Sequence, residues 1–183
     1  MIQMPEETIS APNGEKLRKI ASVKTTENAD NKLKSIYTDS TTIEVIISDS
    51  RLISSGSQFG HVAIIIDDTV YGRAPNGWDT DSKSNYLVRQ QVKMNRDSVG
   101  FVLRISSSEK SKLLSLIKSR MSANTPYDLG SDSCSSNAAE LLGGIGIQAH
   151  DPRWSALITP TDMAVALSRS RRLSTKITYP KSK

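Results

Sequence analysis

Cysteine and histidine are nearly absent from this chain of 183 residues, which has one cysteine, Cys134, and two histidines, His61 and His150. A single cysteine excludes an internal disulfide, so the fold depends on its hydrophobic core alone. These residues are also too few for a structural zinc site, which takes four cysteine and histidine ligands. We therefore expect no metal and no cofactor.

Apolar residues are also scarce. Aromatic residues make up 5% of the chain and hydrophobic residues 37%, which is below the usual share for a globular protein. No run approaches the roughly 18 apolar residues of a membrane-spanning helix, so we expect no membrane span. The first seven residues have neither the basic nor the apolar region of a Sec signal peptide. We expect synthesis in the cytoplasm without a Sec signal.

Acidic residues are missing from the end of the chain, where a net charge of +5 is concentrated. Six cations follow the last acidic residue, Asp162: Arg169, Arg171, Arg172, Lys176, Lys181 and Lys183. Nucleic-acid-binding surfaces usually interleave cations with aromatic platforms, and here only Tyr179 lies nearby. The pattern favours a solvated basic tail over residues 171–183, and we expect no nucleic-acid partner.

The first 40 residues are mostly polar and have weak periodicity. Leu17, Ile20 and Val23 have a spacing that would support a short helix. We interpret residues 1–40 as a flexible or loosely docked N-terminal arm.

Residues 41–170 have the pattern of one folded domain, in which strands come first and helices follow. Strand signals cover 42–47, 60–66, 69–72 and 99–105, with a tight turn at Asp67 and Asp68 and a polar loop at 74–86. Helix signals cover 106–121, 132–143 and 161–168. This order predicts an α+β fold, with a small antiparallel sheet packed against helices.

Cys134 lies in the first turn of a predicted helix. Free backbone N–H groups and the helix dipole lower the pKa of a thiol at that position, which favours a nucleophilic thiolate. The same N–H groups can stabilise an oxyanion. The alternative is a structural cysteine, because Cys134, Ala138, Leu141 and Ile145 form one apolar stripe and free cysteines are often buried.

His61 begins a predicted strand after Gly60 and follows a polar segment, as residues that line sites often do. A neutral imidazole within hydrogen-bond reach of a thiol at a helix start is the arrangement that a cysteine nucleophile needs. A lone histidine is, however, more often an ordinary surface residue. His150, next to Asp151 in a loop that contains proline, is a second and weaker candidate for the base.

Two segments carry a resemblance to a known family: Phe59–Arg73, which includes His61, and Ser133–Leu142, which includes Cys134. They resemble circularly permuted papain-like hydrolases of the NlpC type, in which the histidine strand precedes the cysteine helix. Lecithin:retinol acyltransferase-like proteins and several bacterial cell-wall amidase effectors share this order. The later segment Ile158–Leu167 is similar to a helix that often follows in such bacterial proteins. The resemblance covers residues 57 to 168 and implies a papain-like fold with Cys134 as nucleophile and His61 as base.

The third, orienting group of such a site is less well defined. A two-residue turn at Asp67 and Asp68 places Ala74 opposite His61, where members of the permuted group often have a polar residue. Tyr71 and Arg73 project to the other face of the sheet. The candidates that remain are Asn76, just after the strand, and Ser57 and Gln58, just before His61. A Cys–His dyad without a third group is the alternative.

Asn137 is a separate candidate, because it lies three residues after Cys134 on the same side of the helix. It could contribute to an oxyanion site or orient the histidine. A structural role, in which it holds a neighbouring loop, is the alternative.

The resemblance implies a secreted bacterial effector, a toxin of the type VI secretion kind, that hydrolyses amide bonds in peptidoglycan as an amidase or endopeptidase. Its site of action would be the periplasm of a target cell, and its partners would include an immunity protein or a component of the secretion apparatus. An alternative is a virulence effector that deamidates, cleaves or acylates a protein in the host cytosol. A catalytically decayed binding module is a third hypothesis.

Overall fold

The computed structural model describes residues 8–10, 14, 16–24, 33–39, 41–49, 60–128, 131–151, 153 and 157–182. Its first three strands, β1 (Thr8–Ser10), β2 (Lys16–Lys24) and β3 (Leu33–Asp39), form an antiparallel sheet in that order. The short helix predicted from Leu17, Ile20 and Val23 is therefore wrong, because strand pairing on both sides of β2 overrides a weak helical periodicity. The assignment of residues 1–40 to a separate arm stays a prediction.

The main sheet has six antiparallel strands in the order β7-β6-β5-β4-β8-β9. Their bounds are β4 Thr42–Ser48, β5 His61–Ile66, β6 Thr69–Ala74, β7 Gly77–Ser82, β8 Ser98–Arg104 and β9 Leu173–Tyr179. The two central strands, β4 and β5, are almost entirely buried, which explains their nearly continuous run of β-branched residues.

Two of these strands were not expected from the sequence. β7 lies in the segment that was interpreted as a polar loop, and β9 lies in the segment that was interpreted as a basic tail. Both are edge strands in which polar side chains predominate, so their apolar signal is weak. In β9, Leu173, Ile177 and Tyr179 do share one face, but this short alternation was not interpreted as a strand. Pairing with β6 and β8, respectively, forms them.

The hairpin of β5 and β6 has the predicted register. Asp67 and Asp68 have positive φ angles of 48° and 67°, as a two-residue type I′ turn requires. Ile66 pairs with Thr69, and the last pair of the ladder is Ala63 with Gly72. The strand end that carries His61 therefore lies beyond the last pair with β6.

The described residues also form four α-helices: α1 Lys83–Val88, α2 Ser107–Ala123, α3 Cys134–Gly143 and α4 Pro160–Ser168. A π-helical turn, Arg89–Lys93, continues α1. The helices α2, α3 and α4 begin within two residues of their predicted starts, and each has a capping box, with Ser106, Ser133 and Thr159 as the N-cap residues. The box at Ser106 was predicted. No helix among these residues is long and apolar enough to cross a bilayer.

Helices cover both faces of the main sheet. One face presents Val62, Ile64 and Ile66 to a core that includes Leu113 of α2 and Leu142 of α3. The other face presents Ala63 and Ile65 to Tyr86 of α1. Since successive strand residues point to opposite faces, His61 belongs to the face of Ala63 and Tyr86. The α+β prediction is confirmed, whereas the permuted papain-like topology stays a prediction.

Candidate active site

Cys134 is the first residue of α3, directly after the N-cap Ser133, and its exposed fraction is 6%. The backbone N–H groups of Val62 and Ser135 donate to its sulfur, and the N–H of Cys134 itself also lies close to it. These bonds lower the pKa of the thiol, but burial outweighs them and raises it above the ordinary value. The pKa of Cys134 is therefore not lowered as expected, because the desolvation of a thiolate here costs more free energy than the N–H groups contribute to its stabilisation.

His61 is the first residue of β5 and is partly buried. Its ring centroid lies 6.2 Å from that of Tyr86, which is fully buried. Burial and the nearby cations Arg96 and Arg89 together lower the pKa of His61 to about 4, against the opposing effect of the negative charge of Asp79. The imidazole is therefore neutral at neutral pH.

The start of β5 connects the two candidate catalytic residues. Val62, whose N–H donates to the thiol of Cys134, is the residue that follows His61. α3 packs against β5 and β6, and the β5–β6 ladder ends before Val62. The sulfur is thus held beside the backbone of β5 at the strand end where His61 lies, whereas the imidazole ring extends on the face of Tyr86.

Arg73 anchors the loop that leads into α3. It is 3% exposed, and its guanidinium donates to the carbonyl oxygen of Thr125 at 2.5 Å and to Asp132 Oδ1 at 3.4 Å. It also lies over the ring of Tyr127, at 5.5 Å from the centroid. Because Asp132 precedes the N-cap of α3 by one residue, Arg73 fixes the start of the helix, and with it Cys134, against β6.

Asn137 belongs to the same network. Its side-chain amide donates to Asp132 Oδ1 at 2.7 Å and to the carbonyl oxygen of Ser133 at 2.9 Å, and its Oδ1 accepts from Arg120 at 2.8 Å. The nitrogen and the oxygen of the Asn137 amide therefore both have hydrogen-bond partners. The contacts match the structural alternative, in which Asn137 holds the loop before α3.

Among the described residues, Asn76 has no hydrogen bond to His61. Asn76 is exposed in the turn that joins β6 to β7. Ser57 and Gln58 lie outside the described residues. The position beneath the imidazole is Gly72, since His61 Nε2 lies 3.2 Å from the point that a Cβ on Gly72 would occupy.

Asp79 is a charged neighbour of His61 that the sequence analysis missed. It lies on β7 directly opposite Gly72, and its negative charge raises the pKa of His61. Its carboxylate forms an ion pair with Arg89. The assignment of residues 74–86 to a loop concealed it, although Asp79 and Asp81 alternate with Trp78 and Thr80 as the residues of a strand do.

A cavity of about 630 Å³ lies between α4 and the loop that follows α3. His150 and Asp151, the second pair noted in the sequence, line it together with Ile158 and Arg169. Neither Cys134 nor His61 is among its lining residues. The structure therefore places the two histidines in different surroundings.

The described residues define an α+β protein whose six-stranded antiparallel sheet carries helices on both faces. No protein-family profile matches the sequence, and no curated protein matches it. Among solved structures, the fold is similar to that of the type VI secretion system effector TseH, with a TM-score of 0.51. The two chains are 18% identical, and the match covers 76% of this chain and 91% of the TseH chain. At this identity the likeness concerns the fold.

Proposed function

We propose that this chain is a secreted bacterial effector with a Cys–His amide hydrolase site, and that its substrate is the peptide part of peptidoglycan. The observation that carries the proposal is the hydrogen bond from the Val62 N–H to the Cys134 thiol, which holds the sulfur at the strand end of His61. The order of the two segments, which resembles permuted NlpC-type hydrolases, supports it. So does the fold that the chain shares with a type VI effector.

The charge states of the site indicate how the reaction would begin. The raised pKa of Cys134 and the lowered pKa of His61 make the resting pair a neutral thiol and a neutral imidazole. When the sulfur attacks the substrate carbonyl carbon, the thiol proton passes to His61. The mechanism therefore does not require a stable thiolate in the buried site. This transfer requires the imidazole to lie within hydrogen-bond reach of the sulfur in the complex with substrate.

The start of α3 would serve the later steps. The N–H groups of Cys134 and Ser135, in the first turn of α3, would stabilise the oxyanion that forms beside the sulfur. As the C–N bond breaks, the imidazolium returns its proton to the leaving amine, and a thioester to Cys134 remains. Water then attacks this thioester with His61 as base, which releases the acid and restores the thiol.

Purified sacculi test this function directly. The wild-type protein should release soluble muropeptides with new amine and carboxyl ends, and Cys134→Ala and His61→Gln should abolish the release. His150→Gln is the matched control and should keep the activity, since His150 lines a separate cavity. Lysis by Cys134→Ala after export to the periplasm would refute the proposal. No release by a folded wild-type protein would favour the host-protein substrate instead.

A decayed binding module is the second candidate, and two observations favour it: the thiol has a raised pKa, and the residue beneath the imidazole is a glycine. Alkylation by iodoacetamide at neutral pH distinguishes the two. An active site should show a Cys134 rate that falls strongly in His61→Gln, because the base assists removal of the thiol proton. A slow rate that is the same in both proteins would support the binding module.

A further inference from the structure

Strand β6 lies between β5, which carries His61, and β7, which carries Asp79. Gly72 is the β6 residue between these two side chains. It pairs with Ala63 on one side and with Asp79 on the other. His61 Nε2 lies 3.2 Å from the point that a Cβ on Gly72 would occupy, whereas Cε1 lies 3.8 Å from it. The imidazole therefore fills the space that a larger residue would need, and its Nε2 is directed across β6 on the face of Asp79.

The carboxylate of Asp79 has a fixed position on that face. Arg89, in the π-helical turn after α1, forms an ion pair with Asp79 Oδ2, while its contact with Oδ1 is long, at 3.5 Å. Oδ1 thus keeps capacity to accept a further hydrogen bond. The guanidinium of Arg89 also lies 5.5 Å from the ring centroid of Tyr86, which in turn faces His61.

We propose that Asp79, held by Arg89, is the positioning residue for His61, and that in solution it accepts the Nε2 proton of the imidazole across Gly72, a hydrogen bond that the described contacts of the two residues do not include. This leaves Nδ1 without a proton and able to act as the base. The charged groups that face the imidazole are Asp79, Arg89 and the buried Arg96, and Asp79 is the anion among them. The catalytic consequence rests on the proposed function, whereas the orientation of His61 does not.

Nitrogen NMR of the full chain with labelled histidine tests the orientation, because there are only two histidines and His150 serves as an internal reference. At pH 7 the shifts of His61 should be those of the Nε2–H tautomer. Asp79→Asn should move them towards a mixture of tautomers or to the Nδ1–H form. Asp81→Asn is the matched control, because it removes the same charge from the same face of β7. Asp81 also forms an ion pair with Arg89, at 3.7 Å, but it lies opposite Val70, so the substitution should leave the tautomer unchanged.

A variant of Gly72 is an independent test of the contact between this position and the imidazole. The φ angle of Gly72 is not positive, so alanine suits its backbone, but its Cβ would press on Nε2. Gly72→Ala should therefore displace the imidazole and disturb the tautomer in a folded protein. Gly143→Ala, where a Cβ meets nothing within 4 Å, should not. An Nδ1–H tautomer in the wild type, or no change in Asp79→Asn and Gly72→Ala, would overturn the proposal.

Muropeptide release then measures the consequence for catalysis. Asp79→Asn should lower kcat by about 10- to 100-fold with little change in KM, because it disturbs the base and leaves substrate binding intact. An unchanged kcat in a variant whose tautomer has changed would refute the catalytic part alone. Activity that persists in Cys134→Ala would refute the proposed function and leave the tautomer result standing.

Discussion

The lowered pKa of His61 predicts a specific loss of stability in mild acid. The folded state holds the imidazole at a pKa of about 4, whereas the unfolded chain has the ordinary value of 6.5. Between these values the unfolded state binds more protons, so protonation favours unfolding, and the free energy of unfolding falls as the pH drops from above 6.5 to 4. The perturbation that removes this effect is His61→Gln.

The magnitude follows from the pKa difference. For a pKa that changes from 6.5 to about 4, the group should cost about 2 kcal/mol at pH 5 relative to neutral pH, and about 3 kcal/mol at pH 4. Two carboxyl groups, those of Glu109 and Asp132, have lowered pKa values and therefore stabilise the folded state above their ordinary values of 4.5 and 3.8. Their contribution is lost at lower pH, so the window from pH 5 to 7 isolates His61.

Urea unfolding at pH 5.0 and 7.5 measures the effect. The wild type should lose about 2 kcal/mol more between the two pH values than His61→Gln does. His150→Gln is the control and should behave like the wild type. If the pH dependence of His61→Gln is parallel to that of the wild type, the imidazole does not have a strongly lowered pKa, and the neutral resting state that the mechanism requires is refuted.

Three further variants test the packing around the site, each by urea unfolding. Gly100→Ala should cost about 1–3 kcal/mol, because its Cβ would fall 1.9 Å from the buried Glu44 Oε1; a neutral result would contradict the close approach of that carboxylate. Arg73→Met should cost about 3–5 kcal/mol, since it leaves polar partners of a buried guanidinium unpaired, and it should also slow any Cys134-dependent activity. Equal alkylation of Cys134 in Arg73→Met and wild type would show that Arg73 does not position the thiol. Ser133→Ala should cost about 1 kcal/mol through loss of the α3 cap, and Ser131→Ala is the comparison that lacks this role; equal stability of the two would refute the capping assignment.

Local signals in the sequence determined much of the fold. The register of the β5–β6 hairpin follows from two adjacent aspartates in a two-residue turn, because such a turn leaves only one pairing for the residues beside it. The starts of α2 and α4 follow from capping residues such as Ser106 and Thr159, whose side chains bond to nearby N–H groups. Both signals act within a few residues, so they can be read without knowledge of the rest of the chain. The place of Cys134 in the first turn of α3 was also predicted from the local sequence, from a helix start near Asp132 or Ser133.

Only the tertiary structure decided what surrounds the candidate catalytic residues. Strands β7 and β9 exist because they pair with strands already in the sheet, and their own side chains carry little apolar signal. The neighbours Gly72 and Asp79 of His61 depend on that pairing, as does the ion pair of Asp79 with Arg89. Burial also reversed the expected shift in the pKa of Cys134, because desolvation depends on atoms that are distant in sequence. The position of Cys134 at a helix start predicts that backbone N–H groups surround its thiol. It does not predict that the fold shields this thiol from water.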